Sequence, residues 1–231
     1  MKILKRVILV VLLVIMGIGA WFIGSGYNMY KDALKQMPLE EKIESIRKKE
    51  NYTKIEEVPQ MYINAVVSVE DHRFYNHKGV DVIAISRALI NDMKAMEFIE
   101  GGSTITQQIA KNIYFTQEKQ ITRKIAESFM ASKIEKNYEK EEILELYINT
   151  SYYGDGYYTL KEACRGYFNK ELNEMTDYEC ILLAGIPNAP SIYSLTQNPE
   201  LAKQRQKQVI KKMIKYGYLT EEEANSIISQ N

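Results

Sequence analysis

Gln120-Ile-Thr-Arg-Lys-Ile-Ala-Glu-Ser-Phe-Met-Ala-Ser-Lys-Ile-Glu-Lys-Asn-Tyr138 sets Ile121, Ile125, Phe129, Met130 and Ile134 four positions apart or adjacent, the spacing of one apolar stripe on an α-helix. The same spacing recurs on either side. Val80 to Met96 carries Val82, Ile83, Ile85, Leu89, Ile90 and Met93. Further helical stretches are expected from about Lys140 to Asn149, Leu160 to Phe168, Thr176 to Leu183, Pro199 to Tyr216 and Thr220 to Ile228. Thr220 followed by Glu223 matches a capping box, in which each residue's side chain satisfies the other's backbone N–H. Strand-like alternation is scarce and no repeat is present, so the expected fold is mainly α.

The chain has 231 residues with 45% hydrophobic content, enough for one catalytic domain and an anchor. Thirty basic and 30 acidic residues give a net charge of zero, so nothing in the bulk balance calls for nucleic acid, and any phosphate chemistry must come from a local cluster. Val7 to Gly24 carries no charge and approaches the length that spans a bilayer core, with Trp21 and Tyr27 near the outer interface. Lys2, Lys5 and Arg6 precede it, which by the positive-inside tendency keeps the amino end in the cytoplasm. The expected layout is a cytoplasmic tail at 1–6, a transmembrane anchor at 7–26, a charged stalk at 27–57 and a catalytic domain at 58–231. That domain lies outside the cell on a single-pass membrane protein. The competing reading is a cleaved signal peptide, with Gly17, Gly19 and Ala20 near the cleavage site. Cys164 and Cys180 fall in helical stretches and read as small buried apolar residues in preference to a disulfide.

Three stretches could carry chemistry. Val69-Glu-Asp-His-Arg-Phe-Tyr-Asn-His-Lys-Gly-Val-Asp81 gathers Glu70, Asp71, His72, His77 and Asp81. No His-Glu-x-x-His pattern or nearby cysteine supports a metal site, and none is expected. Asp81 reads as the cap of the next helix. Glu70 follows the apolar run Ala65-Val-Val-Ser-Val69, and its partial shelter suits a general base. Glu100-Gly-Gly-Ser-Thr-Ile-Thr-Gln-Gln-Ile-Ala-Lys-Asn112 places a glycine pair and the hydroxyls of Ser103 and Thr104 at a helix start. Thr104 with Gln107 fits a capping box, and the same start offers N–H groups to an anion, with Lys111 about two turns on. In Lys119-Gln-Ile-Thr-Arg-Lys-Ile-Ala-Glu127, Lys119, Arg123 and Glu127 are four and four apart and share a helix face, flanked by Lys124. Alone, that face reads as solvated. Together, the three stretches offer a carboxylate and a cation cluster, as displacement of a diphosphate requires.

These residues resemble glycosyltransferase family 51, the peptidoglycan glycosyltransferases. The similarity lies in Glu70-Asp-x-x-Phe74-x-x-His77-x-Gly79, in Gly101-Gly-Ser-Thr-Ile-Thr-Gln-Gln108 with Lys111-Asn112, and in Arg123-Lys124-x-x-Glu127. It continues in Ile143-Leu-Glu-Leu-Tyr-Ile-Asn149 and Ala184-Gly-Ile-Pro-Asn-Ala-Pro-Ser191, and it looks closest to the monofunctional branch. Asn169 departs from the family's usual glycine, and Lys119 from its usual arginine. The resemblance implies a lysozyme-like helical domain with a small membrane-proximal jaw lobe, within about residues 80 to 120, preceded by one N-terminal transmembrane helix. It implies polymerisation of lipid II into β-1,4 glycan by inverting transfer, with undecaprenyl diphosphate as leaving group. Glu70 would be the base, and Glu127 the second catalytic carboxylate. Lys111, Lys119, Arg123 and Lys124 would stabilise the diphosphate. Phe74, His77, Ser103, Thr104, Gln108 and Asn112 would line the substrate cleft. No organic cofactor is implied, and Mg²⁺ or Mn²⁺ would be bound mainly through the diphosphate. The implied partners are lipid II, the growing lipid-linked glycan, the membrane and other cell-wall synthesis proteins. The alternatives are glycan cleavage by a lytic transglycosylase or lysozyme-like enzyme, which leaves the cations unexplained, and a non-catalytic precursor-binding scaffold.

Overall fold

Helices build the protein, and no strand occurs among the described residues, which in this computed structural model are 2–95, 101–115 and 121–229. In chain order they are α1 (Lys2–Gln36), α2 (Leu39–Arg47), α3 (Gln60–Glu70), α4 (Val82–Ala95), α5 (Ile105–Tyr114) and α6 (Ile121–Asn137). Then follow α7 (Lys140–Ile148), α8 (Leu160–Phe168), α9 (Asp177–Gly185), α10 (Pro199–Lys215) and α11 (Glu221–Ser229). The 3.6-residue spacing therefore reads the fold class correctly. The Thr220–Glu223 capping box also forms as the sequence indicates, each partner accepting from the other's backbone N–H.

The core is organised around α3. Its apolar run buries Tyr62, Ile63, Ala65, Val66 and Val67, and the helix packs on α9 and α10, while α5 lies against α6 and α7. Inside, the hydroxyls of Tyr62 and Tyr153 hydrogen-bond at 2.5 Å, so two large rings are buried without an orphaned polar tip. Cys164 and Cys180 are both buried and free.

α1 is long and apolar enough to cross a membrane; its large apolar side chains between Ile3 and Ile23 are mostly exposed, while Tyr30, Ala33 and Leu34 pack against the core. It runs ten residues past the expected end of the anchor at 26 and lies along α6. Gly26 permits this approach, since a Cβ there would sit 2.6 Å from Ile125 Cγ2 and 2.9 Å from the Thr122 carbonyl oxygen. Tyr27 and Tyr30 then flank Phe129, with ring centroids 5.2 and 5.9 Å away.

The charged stalk expected at 27–57 is not what these residues form. Leu39, Ile43 and Ile46 fall at i, i+4 and i+7, which turns one apolar edge of α2 into the core despite the charges around it. The segment after α2 is also fastened to α7. Arg47 pairs with Glu142 at 2.7 Å, the Ile55 N–H donates to Glu145 Oε2 at 3.0 Å, and Thr53 exchanges two 2.8 Å hydrogen bonds with the Asn149 side chain. Catalytic-domain packing thus begins near residue 39, not 58.

The apolar residues of α4 do not all pack inward. Val82, Ile83, Ile90 and Met93 are exposed, and of that helix Ala88 is the buried apolar residue among those described. If α2 belongs to the core, Ile43→Ala should destabilise the detergent-purified protein by about 2–5 kcal/mol in denaturant unfolding. A change under about 0.5 kcal/mol, as for an ordinary surface site, would return α2 to the status of a stalk.

Candidate active site

The site begins where α3 stops. Asp71 leaves the helix at φ −156° and ψ 72°, which turns its carboxylate inward and leaves Glu70 as the last helical residue. Asp71 Oδ2 accepts from His77 Nε2 at 2.8 Å and from the Ile105 N–H at 3.1 Å. The Gly79 N–H donates to His77 Nδ1 at 3.2 Å, so Nδ1 is the acceptor of the ring and Nε2 the donor. Gly79 has φ +96° and lies on the α6 backbone at Ala131, where a Cβ would meet the carbonyl at 2.8 Å. Thr104 closes the arrangement by donating to the Gly79 carbonyl at 2.6 Å while accepting from the Gln107 N–H. Asp81 caps α4 through the Ile83 and Ala84 N–H groups and pairs with Arg73 at 2.9 Å.

These bonds correct one expectation. At the start of α5 the capping box forms, and the N–H groups of Ile105 and Gln107, expected to face an anion, instead serve Asp71 and Thr104, with Thr104 buried. Phe74 and His77, expected to line the substrate cleft, are also interior residues that hold this corner together. Asn112 donates to the Thr150 carbonyl at 3.0 Å and ties α5 to the end of α7. Lys119 lies outside the described residues.

Beside this corner opens a cleft of about 650 Å³. Ser68, Val69 and Glu70 form its floor; Ser103, Gln108 and Lys111 form one wall. Glu70 is held from both sides. Its Oε2 accepts from Gln108 Nε2 at 2.7 Å, and its Oε1 lies 3.4 Å from Arg205 Nη2 of α10, with the carboxylate side chain 6% exposed. Behind the α5 wall, Lys124 Nζ donates to Ser103 and pairs with Glu127 at 2.9 Å. Arg123 Nε approaches the second oxygen of Glu127 at 3.4 Å. Glu127 is fully buried and the Arg123 side chain is 13% exposed, so this pair is interior and not the solvated face its spacing alone suggests, while Lys124 reaches in from the surface with its side chain 46% exposed. Lys111 joins the cluster to the cleft. Burial pushes its ammonium below the usual lysine range, Glu127 opposes this, and Lys124 and Arg123 reinforce it.

Of the residues singled out in the sequence, the structure brings Glu70, Ser103, Gln108 and Lys111 to the cleft and places Arg123, Lys124 and Glu127 directly behind it. Sequence reasoning missed the opposite wall: Arg205, Gln208, Lys211, Lys212, Lys215 and Tyr216 of α10 and its end. It also missed Arg87, and it named His72 without giving it a place in the cleft. The available signal was the recurrence of polar, mostly cationic residues at 205, 208, 212 and 215, off the buried stripe Ala202, Val209, Ile210 and Met213. Such a face is ordinarily solvated, so spacing by itself does not mark it.

Residues 38–214 match the transglycosylase family model, which covers the floor and nearly all of both walls. The chain belongs to the transglycosylase family. This transglycosylase is 42% identical over 179 residues to penicillin-binding protein 1A of Aquifex aeolicus (strain VF5), covering 78% of the chain and 25% of that protein. It is 43% identical, again over 179 residues, to penicillin-binding protein 1A of Neisseria cinerea, covering 22% of that protein. The chain thus spans about a quarter or less of the length of the curated relatives it matches. The crystal structure of penicillin-binding protein 1A from Haemophilus influenzae is similar over 78% of this chain and 17% of that one, with a TM-score of 0.47 and 22% identity.

The position of Lys111 gives the transglycosylase a pH signature. Its charge is present at low pH and is lost as pH rises through a pKa lower than that of a free lysine. Binding of inorganic pyrophosphate, followed by calorimetry, should therefore weaken on an alkaline limb, and Lys111→Arg should move that limb to higher pH. A limb in the same place in both proteins would show that another group titrates.

Proposed function

We propose that this transglycosylase is a membrane-anchored peptidoglycan glycosyltransferase that polymerises lipid II. The observation that carries the reading is the placement of one carboxylate, Glu70, in a cleft whose other described Asp, Glu, Lys and Arg lining residues are all cationic, with a second carboxylate buried beside lysine and arginine behind it. Synthesis from a lipid diphosphate donor needs both parts. A base must take a proton from the attacking hydroxyl, and positive charge must receive the electrons that leave with the diphosphate.

In the proposed step, Glu70 accepts the proton of the acceptor's 4-hydroxyl. The oxygen forms a bond to the donor's anomeric carbon from the face opposite the diphosphate, the carbon–oxygen bond to the diphosphate breaks, and its electron pair stays on the phosphate oxygen. The linkage inverts from α to β. Gln108 orients Glu70 by donating to the oxygen away from Arg205. Lys111, with Lys124 and Arg123, offsets the charge of the leaving diphosphate, and Glu127 holds those cations in place. Lys119 is assigned to the same group by the spacing of the sequence. Mg²⁺ or Mn²⁺ would be bound mainly through the diphosphate, whose oxygens are the hard ligands these ions take.

α1 serves as the anchor, with Lys2, Lys5 and Arg6 on the cytoplasmic side and the cleft outside the cell. The exposed apolar residues of α4 would face the bilayer, near where a lipid-linked substrate enters. Cleavage of finished glycan shares the need for a carboxylate, but it releases no diphosphate and gives the cations no task.

Glu70→Gln keeps the shape of the side chain and its contact with Gln108 while removing the base. Lipid II polymerisation by the full chain in detergent should fall by roughly 100-fold or more, in the range a general base contributes, with lipid II binding largely retained. Undiminished turnover would remove Glu70 from this role.

A further inference from the structure

We propose that Asp155 is a positioning residue for Glu70, one that grips the 187–197 segment so that Tyr193 keeps Arg205 on the base. The inference rests on the glycosyl-transfer reading for the task of Glu70. The contacts that carry it stand without that reading.

Gly154, Asp155 and Gly156 take φ of +85°, +51° and +88° in succession. Glycine adopts this left-handed region freely, whereas at Asp155 the Cβ crowds the backbone, and aspartate is among the few residues that tolerate it. The turn is closed by the Tyr153 N–H on the Tyr157 carbonyl at 2.8 Å and by the Tyr157 N–H on the Gly154 carbonyl at 2.9 Å. A side chain kept in such a backbone, at an exposed position, points to a task for that side chain.

The partners of Asp155 show what the task is. Thr196 Oγ1 donates to its Oδ2 at 2.7 Å, and Ser194 Oγ lies 3.1 and 3.2 Å from the two carboxylate oxygens. The Thr196 hydroxyl, opposed by burial and helped by Tyr167 and Ser194, pulls the carboxyl below its usual range, so it stays ionised and accepting at neutral pH. Ser194 is buried, and its Oγ also accepts from the Gln197 N–H at 3.2 Å. The turn presses on the same segment through Gly154, where a Cβ would lie 3.1 Å from the Pro190 carbonyl oxygen.

That segment reaches the cleft. Pro187 and Asn188 line it, and the ring of Tyr193, the residue before Ser194, has its centroid 5.8 Å from the Arg205 guanidinium carbon. Arg205 Nη2 in turn lies 3.4 Å from Glu70 Oε1. Arg205 Nε donates to the Gly185 carbonyl at 3.3 Å and Nη1 to Gln208 at 3.0 Å. These N–H bonds act in the plane of the guanidinium. The Tyr193 ring is a contact of another kind, and Ser194 and Asp155 decide where it sits.

Two substitutions at one position separate backbone strain from bonding. Asp155→Gly relieves the left-handed backbone and removes the acceptor, whereas Asp155→Asn tolerates that backbone and keeps one acceptor oxygen. In lipid II polymerisation by the full chain in detergent, Asp155→Gly should lose roughly fivefold in kcat with KM within about twofold, and Asp155→Asn should recover most of the loss. Tyr193→Leu should match Asp155→Gly, and the two together should lose no more than either alone, because they break one route. A second readout needs no lipid II. With isotope-labelled arginines, the Arg205 Nε–H resonance, assigned through Arg205→Lys, should move in Asp155→Gly towards its position in Tyr193→Leu as the ring leaves the guanidinium. An unmoved resonance, a parent-like kcat in Asp155→Gly, or losses that multiply in the double variant would overturn the role of Asp155. A parent chain that does not polymerise lipid II, with the resonance still moving, would remove the transfer reading and leave the link from Asp155 to Arg205 standing.

Discussion

The site depends on one buried carboxylate that has no chemical task of its own. Asp71 accepts from His77 and from the first N–H of α5, and so joins the end of α3 to the beginning of a helix more than thirty residues later. Burying a carboxylate is costly, and charge-assisted or backbone hydrogen bonds at 2.8 and 3.1 Å offset that cost while fixing direction as well as distance. Once Asp71 is fixed, Glu70 beside it points the other way, and Gln108, one turn into α5, stands opposite. The 2.7 Å contact between them follows from that registration.

A second constraint is electrostatic. Glu127 is fully buried, a position that a lone charge would make untenable, and it stands there because Lys124 and Arg123 of the same helix reach it. The cluster lies on α6, the helix that also receives α1 at Gly26 and the Gly79 turn at Ala131. α6 therefore links the apolar anchor, the corner built by Asp71 and the cations behind the cleft. A shift of this one helix would disturb all three.

Much of this was legible beforehand, and the failures have physical causes. Helices announced themselves because their apolar residues repeat at 3.6, and Thr104–Gln107 and Thr220–Glu223 were readable as caps because the bonds are local. α2 was misread because three apolar residues among many charges look sparse by composition, though their spacing is that of a buried edge. The resemblance implies Thr104 and His77 in the cleft, but a matched motif carries residue type and not direction; the polar partners that claim them, Gly79 and Asp71, are tertiary neighbours. The α10 wall was missed for the same reason in reverse, since a row of lysines declares its charge and not what it faces.

The central claim is that the cleft makes glycan and does not cleave it. Incubating the purified full chain with labelled lipid II in detergent and separating the products by gel tests this most directly. The account predicts glycan chains longer than the starting disaccharide, formed with release of undecaprenyl diphosphate. Shortening of pre-formed glycan, with lipid II left unconverted, would contradict it.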